Sequence, residues 1–179
     1  MRLAAALMAV AALAQDARVL APPDGAVFAE GAAIRVIARV PEGAAVTVDG
    51  KPAALESPHA GVAAGVVKLG PGEHRIAAGG SAVKIAVGGG AATFRAHPPV
   101  DDCTSCHMVR GGRWRFLRAS LSNVCSNCHA KDAFAAKHTH QMDTLPDCQM
   151  CHDAHGGTAA ALMKMSRDKA CAQCHSLQK

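Results

Sequence analysis

Residues Pro146 to Gly157 read PDCQMCHDAHGG. The run holds two cysteines three positions apart, a histidine directly after the second, and another histidine, His155, three positions later. Cys148-Gln149-Met150-Cys151-His152 is a C-x-x-C-H segment, and such a segment reads as a c-type haem attachment site. Two thiols one helical turn apart can add to the two vinyl groups of one porphyrin, and the next residue then offers its imidazole to the iron as proximal ligand. Three other segments have the same form: Cys103-Thr-Ser-Cys106-His107, Cys125-Ser-Asn-Cys128-His129 and Cys171-Ala-Gln-Cys174-His175. Together they use all eight cysteines and predict four covalently attached haem c groups.

Paired C-x-x-C units also build structural zinc sites, but zinc does not need a histidine at one fixed offset. Histidine is 10 of 179 residues, so its presence after all four pairs by chance has odds on the order of one in a hundred thousand. Four identical short spacings also suit cofactor attachment better than a disulfide-stapled fold.

Moving outward from the motif, Cys103 set on Cys148 aligns DCTSCHMVRGG with DCQMCHDAHGG. Asp102 then falls on Asp147, and Gly111-Gly112 on Gly156-Gly157. With one residue inserted, VCSNCHAKD aligns with ACAQCHSLQ. The four motifs start 22, 23 and 23 residues apart, so a unit with two attachment sites is repeated in tandem. This half resembles the doubled-CXXCH multihaem cytochromes c over roughly residues 97 to 179. The resemblance implies a small electron carrier with closely stacked, mostly bis-histidine haems, and it includes the CH-x-x-H extension at His155. Arg110 stands where the first unit would need the matching histidine, so another residue must serve there.

From His97 onward there are eight histidines. Four are the proximal His107, His129, His152 and His175; the other four, His97, His138, His140 and His155, are the candidate distal ligands. His155 follows His152 by three residues, which on a helix puts their Cβ atoms about 5–6 Å apart on one side. Three residues cannot carry the chain round a macrocycle to its opposite face, so an iron bound by His155 belongs to a neighbouring haem. Methionine is the second choice as axial ligand, with Met142, Met163 and Met165 in range, although Leu162-Met-Lys-Met165 reads better as packing against a haem face.

The chain divides in two. Residues 1–14 have one arginine, about twelve apolar residues and an Ala12-Leu-Ala14 ending, which reads as a cleaved signal peptide too short to span a bilayer. Export to the periplasm or beyond follows as an expectation, with no transmembrane segment in the mature chain. Residues 15–90 have no cysteine, and their apolar residues alternate: Ile34, Val36, Ala38 and Val40; Val46 and Val48; Val83, Ile85 and Val87. Period two, with Asp24-Gly25, Asp49-Gly50 and Gly70-Pro-Gly72 between the runs, predicts six or seven short strands in a small antiparallel all-β sandwich. Val46 to Lys51 has the form of a tight hairpin. The stretch LAPPDGAVF through VDGKPA resembles bacterial immunoglobulin-like or fibronectin-type modules, which implies a binding or spacing role. His59 and His74, isolated beside turns, are given no site. Gly88-Gly89-Gly90 marks a flexible linker, and residues 91–179 form the haem domain of loops and short helices.

Residues 97–179 have one tryptophan and two phenylalanines, too little to fill a core, so the porphyrins must form most of the interior and this part should not fold without them. Trp114, Phe116 and Leu117 are placed to cover a macrocycle. Eleven Lys and Arg face seven Asp and Glu over residues 91–179, but four haems bring about eight propionates, which turns the balance negative. Nothing therefore argues for nucleic acid. Arg110, Arg113, Arg115 and Arg118 read as propionate partners or a docking face for redox proteins. The leading expectation is an electron carrier rather than an enzyme. A multihaem reductase with one open iron and a subunit of a conductive cytochrome assembly are the alternatives, and a homo-oligomer is compatible with the last.

Overall fold

The structure is a computed structural model that describes residues 17–41, 44–97, 102–110, 113–117, 121–129, 140 and 147–175. The proposed signal peptide, His138, Met142, Arg118 and the Gly111-Gly112 pair lie outside these residues. Among the described residues, no helix is long and apolar enough to cross a membrane.

Among the described residues nine strands precede Gly88: β1 (Arg18–Ala21), β2 (Ala26–Phe28), β3 (Ile34–Arg39), β4 (Val46–Val48), β5 (Lys51–Pro52), β6 (Glu56–His59), β7 (Val62–Val67), β8 (Gly72–Ala78) and β9 (Ser81–Val87). They form two sheets, ordered β1-β3-β7-β6 and β2-β9-β8-β4-β5. Alternation sends Ile34, Val36 and Ala38 from one sheet, and Ile76, Val83, Ile85 and Val87 from the other, into one shared core. Asp49 and Gly50 take φ of 52° and 78° between β4 and β5, the two positive angles that a two-residue hairpin requires. The expected hairpin is therefore present.

Two expectations need correction. Strands β5 and β6 escape the periodicity because they carry no apolar alternation; each contains a proline, Pro52 or Pro58, and lies at a sheet edge where no ladder donor is lost. The sandwich is also not purely antiparallel, since β2 pairs parallel with β9. Ile76 is fully buried at the centre of the second sheet. Ile76→Ala should cost about 2–5 kcal/mol, seen as a lowered denaturation midpoint of the sandwich.

The glycine stretch is no loose linker at its far end. Gly88 N donates to Phe28 O at 2.9 Å, Thr93 N to Val27 O at 2.9 Å, and Val27 N to Thr93 Oγ1 at 3.1 Å. Phe94 packs on Phe28 with ring centroids 5.0 Å apart, so the chain lies along the outer side of β2 to residue 94. It then joins the second CXXCH unit: Arg95 N donates to Gly157 O at 2.9 Å and Gly157 N to Arg95 O at 3.0 Å. Gly156 beside this ladder has φ +129°, and a Cβ there would lie 2.6 Å from the Phe94 ring.

His74, on β8, has a structural task. Its Nδ1 meets Asp49 Oδ2 at 2.8 Å and its Nε2 meets Gly70 O at 2.8 Å, so both ring nitrogens face acceptors and favour the imidazolium. The Asp49 hydrogen bond, then the Gly70 carbonyl, raise His74 above its ordinary value of 6.5, and the same contact lowers Asp49 below 3.8. The His74 contribution is complete below pH 6.5 and is lost as pH rises through the raised folded value; that of Asp49 is present above 3.8 and lost as pH falls through its lowered value. The stability gap between wild type and Asp49→Asn should therefore be widest near pH 5–6 and narrow above neutrality. With Asp49 46% exposed, solvent screening keeps the pair below about 1 kcal/mol, measurable as Tm against pH.

Candidate haem-binding site

The described part of the C-terminal half is built from repeated short turns that hold the cysteine pairs. In the first and third motifs a 3-10 turn, Cys103–Ser105 or Cys148–Met150, starts the segment. The aspartate before it caps it: Asp102 Oδ1 accepts from Thr104 N at 2.8 Å, and Asp147 Oδ1 from Gln149 N at 2.9 Å. The two aspartates that the duplication aligns thus do the same work. In the second and fourth motifs the pair follows from a short helix, Leu121–Cys125 or Arg167–Ala172.

In all four motifs the second cysteine N–H donates to the carbonyl of the first, at 3.2–3.3 Å. In three, the histidine N–H reaches the same carbonyl: His129 to Cys125 at 3.0 Å, His152 to Cys148 at 2.9 Å and His175 to Cys171 at 2.9 Å. This single tight turn is what lets both thiols and the imidazole meet one porphyrin. The eight cysteines are unpaired by disulfides, and none is buried. Among the described residues no three His, Cys, Asp or Glu side chains converge as a metal cage of protein ligands would require. The donor set fits a porphyrin that supplies its own equatorial nitrogens.

The first motif differs because its histidine begins a hairpin, β10 (His107–Arg110) with β11 (Arg113–Phe116). The ring of Phe116 stacks on His107 at 5.1 Å, and Trp114 meets it edge-on at 5.5 Å. Trp114 also donates from Nε1 to Ala60 O at 2.9 Å and contacts the His59 ring at 5.1 Å. His59 is therefore part of the surface on which the hairpin rests, a contact spanning 55 positions that a lone histidine in sequence cannot announce.

Three of the four CXXCH histidines lie beside a histidine from outside the motifs. His107 and His155 have ring centroids 6.3 Å apart and planes 4° from parallel; His140 and His175 are 5.8 Å apart, and His97 and His129 are 6.1 Å apart. Two imidazoles on opposite faces of one iron, each about 2 Å from the metal and about 1 Å more to the ring centre, lie roughly 6 Å apart.

Second partners orient these rings. His152 Nδ1 lies 2.8 Å from Ala161 O. His155 Nδ1 lies 3.2 Å from Asp153 Oδ1, and its backbone N donates to the same oxygen at 2.9 Å. Burial opposes the charge on Asp153, but the His155 ring and backbone hydrogen bonds outweigh it and hold the carboxyl below its usual range. Burial, with His155 beside it, lowers His107 against a hydrogen bond to the Arg115 carbonyl. The neutral imidazole is the ligating form.

The helical reading of His152 to His155 does not hold. Asp153 closes a turn on His155 N, and Gly156 N returns to Asp153 O at 3.2 Å, so the two rings do not share a helix face. The inference that His155 serves a different haem from His152 needs no helix. Of the four spare histidines, His97, His140 and His155 each lie beside a proximal ring, and His138 falls outside the described residues. The thiols also reveal which motifs are neighbours: burial first, then the adjacent Cys148 thiol, raise Cys125 to about 11, while burial and then Cys128 raise Cys106.

Residues 97–134 and 140–179 match the doubled CXXCH motif family. The paired motifs mark this part of the chain as that of a multihaem c-type cytochrome, with covalently bound haem. No curated protein matches the chain. Among solved structures, a fibronectin(III)-like module of CbhA from Clostridium thermocellum is similar at 22% identity and a TM-score of 0.33, covering 40% of this chain and 94% of that one.

Proposed function

We propose that this chain, with the paired attachment motifs of multihaem c-type cytochromes in its C-terminal half, is an exported electron carrier holding four haem c groups, each iron capped by two histidines. The observation that carries the reading is the set of three ring pairs 5.8–6.3 Å apart, each joining a CXXCH histidine to one of the spare ones. His155 caps the haem attached at Cys103 and Cys106, His97 the haem at Cys125 and Cys128, and His140 the haem at Cys171 and Cys174. The haem at Cys148 and Cys151 is then left for His138.

Haem held from both sides by histidine would leave no open position for a substrate and would supply one-electron redox chemistry. The chain's own residues fix the rings and hold neighbouring motifs together, and burial favours the neutral form of His107. The acceptor and donor are redox proteins that meet this surface, and the chemistry is electron transfer rather than catalysis.

Intact mass and carbon monoxide binding test the reading together. Four haem masses on the mature chain and an unmoved Soret band after dithionite reduction and carbon monoxide are the expected results. Fewer than four haems, or a Soret shift of one haem's worth in the wild type, would overturn it in favour of an open-site reductase.

A further inference from the structure

The hairpin that begins at His107 has two faces of opposite character. In its register His107 stands opposite Phe116 and Val109 opposite Trp114, while Met108 stands opposite Arg115 and Arg110 opposite Arg113. Successive residues of a strand point to opposite sides, so the first two pairs share one face and the last two the other. On the first face Phe116 and Trp114 meet the His107 ring, and the Trp114 indole donates to Ala60 O of the sandwich. The second face is turned away from that ring.

Among the described residues no third strand joins this sheet to cover the outer face. Met108 is 40% exposed there, and Arg110 and Arg115 are exposed beside it. Neither arginine forms an ion pair among the described residues. A small apolar centre rimmed by cations suits a brief, electrostatically guided encounter better than a permanent interface. Its position in the chain gives the encounter a purpose. Met108 directly follows His107, so a partner seated on Met108 is one residue from the proximal ligand of the haem attached at Cys103 and Cys106. Propionates make the loaded half negative as a whole, and a local cationic face therefore directs an acidic partner to this haem rather than to the others.

We propose that Met108, Arg110 and Arg115 form the docking face for an acidic redox protein, which exchanges electrons through the haem held by His107. The proposal rests on the electron-carrier reading above and names the point at which electrons enter or leave.

The test is stopped-flow reduction of the intact ferric holoprotein by two donors. The first is flavodoxin hydroquinone, from a small protein acidic around its flavin; it gives one electron and becomes the neutral semiquinone as one haem iron goes from ferric to ferrous. The second is lumiflavin semiquinone, small and uncharged, which gives one electron and releases one proton to water. At low ionic strength flavodoxin should reduce R110Q/R115Q about tenfold more slowly than wild type, and at about 1 M salt, where the Debye length is about 3 Å, the two rates should agree. Lumiflavin should reduce both proteins equally fast, which shows that the haems are intact. R110K/R115K keeps the charge and should keep the wild-type rate. K51Q/K84Q removes two exposed lysines from β5 and β9 and should also match wild type. Equal flavodoxin rates in R110Q/R115Q and K51Q/K84Q overturn the docking face and leave the carrier reading intact. Carbon monoxide binding to a haem of the wild type overturns the carrier reading instead. A tenfold fall in one haem's reduction equilibrium in R110Q/R115Q, read by redox titration, would overturn the docking face by showing that the arginines hold propionates. Sedimentation of the wild type with phosphatidylglycerol vesicles, lost in R110Q/R115Q, would overturn it in favour of a membrane surface.

Discussion

Replacing all eight motif cysteines by alanine should leave the sandwich folded and strip residues 97–179 of stable structure. The reason is where the core lies. Every fully buried apolar side chain among the described residues precedes Gly88, except Val124 and Ala170. Around those two, the β10–β11 hairpin exposes Met108, Val109 and Phe116, and the third motif's turn exposes Met150. A segment that buries so little cannot offset the entropy of ordering its backbone, about 1–2 kcal/mol per residue. Porphyrins must supply the missing interior, and alanine removes their anchors without leaving thiols to form disulfides. Amide hydrogen exchange on the exported variant reads the result directly: protection by orders of magnitude in β3, β7, β8 and β9, and next to none from residue 102 onward. Protected amides around all four former motifs would show that the haems are guests in a preformed fold.

The second large effect concerns His155. His155→Ala should open the sixth position on the haem held by His107, so that carbon monoxide shifts about one quarter of the Soret intensity of the reduced protein where the wild type shifts none. Loss of His155 also removes the ring partner of Asp153, but the turn remains closed through the backbone N–H of residue 155. The change should therefore be confined to one haem. His138→Ala should open a different haem, the one on His152, and the double variant should shift about one half. An unchanged spectrum in His155→Ala would mean that the 6.3 Å ring pair is packing and not ligation.

The attachment sites were legible because covalent chemistry imposes a fixed local spacing, and the inner strands because burial on one face imposes period two. Ile34, Val36 and Ala38, or Val83, Ile85 and Val87, state their own orientation. Which histidine rings meet was not legible, since His107 and His155 are 48 positions apart and nothing local joins them. Counting eight histidines names candidates but not which rings lie side by side. Strands β5 and β6 were hidden by their prolines, and the turn at His155 by an aspartate whose carboxylate competes with helical hydrogen bonding. Nor was the facing of Arg18 and Arg39 legible, because only the antiparallel register of β1 and β3 sets them opposite each other.

The strap from Gly88 to Gly157 also sets an order in time. Every contact that completes the sandwich, including Thr93 on Val27 and Phe94 on Phe28, needs residues no later than 94. A chain delivered from its N-terminus can thus close this part before the first CXXCH cysteine, Cys103, has emerged. The rungs between Arg95 and Gly157 must wait for the third motif and the turn behind it, a closure over 62 positions. Between those two events the cysteines hang from a finished anchor as an open, unfolded tail. Haem attachment would fall in that interval, and the last rungs would then close over a loaded chain.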